Sequence, residues 1–182
     1  DKKFYILWLA SILGSVSVLP YIAANRGIVV TANLVVSVLL QATFLYAFVV
    51  FFGMRISKKL AFKMIPSKKF IVPSIISGMG VGLAIKLLDK FIFATHANLL
   101  LQHVIDIEPW KGLLASFYGA VNEEILLRLF AVSLIAWLLK RFSKMSPSNC
   151  IVISIIFCAL LFGLGHLPML YKMVDTPNSW DV

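Results

Sequence analysis

One apolar stretch of the chain contains the run Asn122-Glu123-Glu124-Ile125-Leu126-Leu127-Arg128, and His166 stands near the end of the next. A charged side chain at bilayer depth costs about 3 kcal/mol on insertion scales, so residues of this kind as a rule face a bundle interior and serve a function. Glu124 and Arg128 are spaced i,i+4, which puts them on one helix face and allows an ion pair. Glu123 lies about 100° away around a helix of 3.6 residues per turn, so it need not share that arginine. An acid set among apolar side chains suits a general base, and Glu123 is the candidate to take a proton from water. In the next stretch, Phe162-Gly163-Leu164-Gly165-His166-Leu167-Pro168 puts Phe162 and His166 on one face. The two glycines leave room there for another helix or a substrate backbone, and the histidine is expected to meet the glutamates. A buried polar network that fixes helix register without chemistry would use the same residue types. Paired acids, an i+4 arginine and a glycine-flanked histidine together exceed what register requires.

The elements that must position these groups are membrane helices. The chain has 182 residues, 60% of them hydrophobic, and a mean hydropathy of +0.94, against roughly 45 to 50% apolar residues in soluble domains. A spanning helix needs about 20 mainly apolar residues. Residues 4–24, 33–54, 70–88, 112–139 and 150–170 meet or approach that length, which predicts an all-α, polytopic transmembrane bundle in one domain over residues 1–182. Barrel strands are excluded by the length and even apolarity of the segments. Pro73, Gly78, Gly80 and Gly82 predict a bend and close helix approach in the third segment, with Gly78 and Gly82 as a small-xxx-small pair. Residues 91–107, which carry His96, Asn98, Gln102, His103 and Asp106, read as an interfacial helix. Cys150 and Cys158 read as packing thiols.

The net charge of +9 does not indicate nucleic acid, because the basic residues cluster between apolar segments instead of forming one stripe. Arg55, Lys58, Lys59, Lys63, Lys68 and Lys69 form one cluster, Lys140, Arg141 and Lys144 another, and Lys2 and Lys3 precede the first segment. By the positive-inside rule these share the cytoplasmic side, with the N-terminus inside and five crossings. Arg26, Lys86, Lys90, Lys111 and Lys172 fall outside or near the outer interface. The loop over residues 55–69 reads as topogenic. The short loops suit the plasma membrane of a bacterium.

The run Glu123-Glu124-xxx-Arg128 followed by Phe162-xxx-His166 resembles the first two motifs of the CPBP intramembrane proteases. This group includes the CAAX prenyl proteases and bacteriocin-processing or immunity-related (Abi) proteins. The resemblance covers residues 112–170, and the two motifs in successive apolar helices are a fairly specific pattern. It implies an intramembrane endopeptidase for peptide or protein substrates, prenylated ones among them. Glu123 would be the base that activates water, Glu124 and Arg128 its support, and His166 the second-motif histidine. Phe162 and Asn122 are assigned to the substrate. The family leaves open whether zinc takes part; if it does, Glu123 and His166 are the ligands in this chain.

A third family motif, a histidine followed four residues later by Asn or Asp, has no counterpart here, because no histidine follows His166. His96 and His103 precede the glutamates and have Leu100 and Ile107 at their i+4 positions. The expectation is therefore a fragment whose third motif lies beyond Val182, the alternatives being a partner subunit or a non-catalytic membrane binding or immunity protein of the same fold. A proton-coupled transporter also uses buried acids, but the hydropathy shows no interrupted helices in matching halves.

Overall fold

The structure is a computed structural model and describes residues 1–62, 68–92 and 107–174. Its elements are α1 (Lys2–Ser17), α2 (Leu19–Arg26), α3 (Ala32–Lys59), a 3₁₀ turn (Lys68–Phe70), α4 (Ile71–Phe91), α5 (Pro109–Tyr118), a π-helical segment (Gly119–Val132), α6 (Ser133–Phe142) and α7 (Pro147–Val174). Among the described residues there is no strand, as the segment lengths predict. Among the described residues four helices are long and apolar enough to cross a membrane: Lys2–Arg26, Ala32–Lys59, Ile71–Phe91 and Pro147–Leu167. The chain is thus an all-helical integral membrane protein. Over the expected crossing at 112–139, α5, the π-helical segment and α6 follow one another with helical backbone at both junctions, from Pro109 to Phe142.

Local sequence sets where these helices start and stop. Pro20 near the start of α2 has no N–H to continue the ladder, and the first span divides at Val18. Gly27 takes the left-handed conformation (φ 62°) that ends α2, and the Ile28 N–H then reaches the Ala23 carbonyl at 3.0 Å. Thr31 opens α3 by accepting from the Leu34 N–H at 3.3 Å.

The chain groups into two compact units, one of residues 1–62 and 105–162, the other of residues 63–104 and 163–182. In the first unit α1, α3 and the run from α5 to α6 pack together around Ala42, Tyr46, Val49, Val50, Ile125, Val132 and Ala136. The Trp8 indole donates to the Thr43 carbonyl at 2.9 Å, and Lys58 pairs with Asp1 at 3.4 Å, so α1 and α3 are antiparallel. Gly53 opposes Leu129, and the Ser57 and Ser133 hydroxyls lie 2.9 Å apart, so the π-helical segment and α6 run parallel to α3. Lys59 and Arg141 each stand 5.7 Å from the Trp137 ring. The N-terminus, the end of α3 and the end of α6 therefore share one end of the unit, as the basic clusters predict.

In the second unit, α4 has no buried residue. Pro73 does not interrupt the helix, because it falls in the first turn, where its missing N–H has no ladder partner to lose. Among the described residues nothing lies within 4 Å of a Cβ at Gly78 or Gly82. The expected interfacial helix, with His96 and His103, lies mostly outside the described residues.

Candidate functional site

The three neighbouring polar residues of the motif face three different surroundings. They lie in a 14-residue π-helical segment, whose N–H groups bond five residues back. Such windings usually last one turn and recur at functional sites. Glu124 is turned outward and pairs with Arg128 through Oε2 to Nε at 3.0 Å, as the i,i+4 spacing predicts. Both side chains are exposed rather than enclosed, at 49% and 77%. Glu123 is half-buried and lies back over Gly119, with Oε2 3.5 Å from where a Cβ would stand. Among the described residues it makes no hydrogen bond or ion pair.

Asn122 points the other way, into the packing, and is fully buried. Its amide nitrogen donates to the Ser11 carbonyl and the Ser15 hydroxyl, both at 2.8 Å. Its Oδ1 is buried without a hydrogen-bond partner among the described residues. The Tyr46 side chain interacts with Asn122, Tyr118 and Ser15. A Cβ at Gly14 would overlap Oδ1, so the amide fits only because α1 carries no side chain there. The structure thus ties to α1 a residue that the sequence assigns to the substrate.

Phe162 and His166 stand one helical turn apart on α7, and both are exposed. The space beside Gly163 and Gly165 is open, with nothing within 4 Å of a Cβ at either. The motif glutamates belong to the first unit and His166 to the second. A catalytic zinc ordinarily takes three protein ligands and keeps one position open. Among the described residues no three His, Cys, Asp or Glu side chains gather. Glu123 and His166, the pair the sequence assigns to such an ion, would supply two of those ligands.

Sequence reasoning did not single out Ser11, Gly14, Ser15 or Tyr46. A signal was present: Ser11, Gly14 and Ser15 form a small-residue face at i, i+3 and i+4 within an apolar helix, a pattern that marks close helix packing. Cys150 and Cys158 are buried with Ser154 between them at i+4 spacing, in keeping with packing thiols.

Neither the curated proteins nor the solved structures contain a match to this chain. Residues 106–180 match the family model described as "Type II CAAX prenyl endopeptidase Rce1-like". That stretch holds the paired glutamates, Arg128, Phe162 and His166. The match over this segment is consistent with a CPBP/CAAX protease family member.

Proposed function

We propose that the chain acts as a CAAX-type intramembrane endopeptidase in which Glu123 is the general base. The observation that carries this reading is the separation of the two glutamates: Arg128 holds Glu124 at 3.0 Å, while Glu123 is half-buried and unpaired among the described residues. Glu123 takes a proton from water as the oxygen attacks the scissile carbonyl carbon. The tetrahedral oxyanion accepts a hydrogen bond from His166, a role given by the family resemblance. Glu123 then returns the proton to the amide nitrogen as the carbon–nitrogen bond breaks. The Glu124–Arg128 pair keeps a second charge from competing for that proton. Phe162, exposed one turn before His166, is assigned to an apolar part of the substrate. The family's description as prenyl endopeptidases supports a peptide that carries a prenyl group. The N-terminus is placed on the cytoplasmic side by the basic clusters.

The test is cleavage of a prenylated CAAX peptide by the full-length protein in lipid nanodiscs. Glu123→Ala and His166→Ala should each lower kcat by about 10²-fold or more, the usual worth of general acid–base catalysis, with the fold unchanged by circular dichroism. Cleavage retained in both variants would sink the assignment and favour a binding protein of the same fold.

A further inference from the structure

We infer that Asn122 is a positioning residue: anchored to α1, its buried side chain sets the rotation of the π-helical segment and with it the aim of Glu123. The inference rests on the proposed role of Glu123 as base. The amide nitrogen has two partners on one helix, the Ser11 carbonyl and the Ser15 hydroxyl, each at 2.8 Å. Two donor bonds of fixed direction admit one rotation of the segment about its axis, whereas apolar packing tolerates several. Tyr46 on α3 meets Asn122 itself, and the close contacts of Gly53 with Leu129 and of Ser57 with Ser133 lie seven and eleven residues further along. In the turn that carries Glu123 the buried side chains are Asn122 and Ile125. Gly14 completes the lock, since any side chain there would displace Oδ1.

The π winding gives this anchor its importance. A segment bonded five residues back is wound more loosely than an α-helix, whose N–H groups bond four residues back. Without the anchor it is free to relax toward the commoner winding, and each residue then turns about the axis. Glu123, next to Asn122 in the chain, would leave its place over Gly119.

The experiment uses the full-length protein in nanodiscs and the same peptide, with kcat, KM, the pH profile of kcat and the melting temperature as readouts. Asn122→Ala should lower kcat at least tenfold, leave KM within about twofold and displace the acid limb of the pH profile. Gly14→Ala should do the same and should also lower the melting temperature, because its Cβ drives the amide out. In Gly14→Ala/Asn122→Ala the overlap is gone, so the melting temperature should recover while kcat stays low. Recovery of kcat together with the melting temperature would mean that Asn122 only packs, and the inference would fall. Should Asn122→Ala not fold, Ser15→Ala removes one of the two partners. A smaller fall in kcat with a displaced acid limb would support the anchor, and an unchanged profile would overturn it. Glu123→Gln is the control in every series. If it cleaves like the wild type, the endopeptidase reading fails and the positioning role fails with it. If it is dead while the Asn122 and Ser15 variants keep the wild-type profile, the positioning role alone fails.

Discussion

The inward and outward faces of residues 119–132 both carry polar side chains, yet these side chains are held by different means. Inward, Asn122 is bonded to a neighbouring helix and enclosed, and a Cβ at Gly53 would stand 3.0 Å from Leu129. Outward, Glu124 and Arg128 hold only each other. The inner face obtains specificity from partners far away in sequence, and the outer face neutralises itself within one turn of its own helix. Glu123 lies between the two, half-buried over Gly119 and without an ion pair among the described residues. Polarity in a membrane helix thus divides into groups that lock the helix and groups that are kept available, and the division is made residue by residue.

The contrast is broken most severely from the inside. Gly53→Ala places a Cβ 3.0 Å from the Leu129 backbone carbonyl oxygen, and overpacking of this kind should cost about 1–3 kcal/mol, read as a lowered melting temperature in nanodiscs. A silent substitution would mean that α3 and the segment have room to part. Arg128→Gln probes the outer face and sharpens the comparison further. If that face meets water, as a hydrolase needs, losing the pair should cost no more than about 1 kcal/mol. A loss near 3 kcal/mol would instead put Glu124 against lipid and count against water reaching Glu123 from this side. The smallest effect is expected where the run begins. Lys111 bonds to the exposed Glu108 and holds its carboxyl below the ordinary value of 4.5. A lowered value in the folded protein means stability that is present above the unfolded value and lost as pH falls through the folded one. The melting temperature should therefore dip slightly as pH drops below the carboxylate range, and Glu108→Gln should remove that dip.

Much of this arrangement could be read from residue types and spacing. Hydropathy marked α1, α3, α4 and α7 as spans, and the i,i+4 spacing gave the Glu124–Arg128 pair before any coordinates. The clustering of basic residues placed the start of α1 and the ends of α3 and α6 at one end of the first unit. Other features depended on partners that a linear pattern does not name. Glycines draw attention as sites of close helix approach, and among the described residues Gly14 and Gly53 carry the tight contacts, glycines the sequence reading did not single out. Asn122 could be recognised as costly in a membrane, but its direction depended on Ser11 and Ser15, more than a hundred residues earlier. The π winding was invisible for a related reason. Its sequence has no proline or other interruption, and the period of its apolar residues passes for that of an ordinary helix.

The parallel run of α3 and the segment from α5 to α6 has a consequence for biosynthesis. The ribosome delivers α1 and α3 well before it reaches Asn122, so Ser11, Ser15 and the groove at Gly53 can already be in the bilayer when the stretch with two glutamates and an arginine emerges. That stretch then has a template to leave the translocon against, its asparagine finding both partners on a helix made earlier. Order of synthesis thereby becomes part of how a poorly hydrophobic crossing is recruited, and removing α1 should impair insertion of a helix encoded a hundred residues downstream.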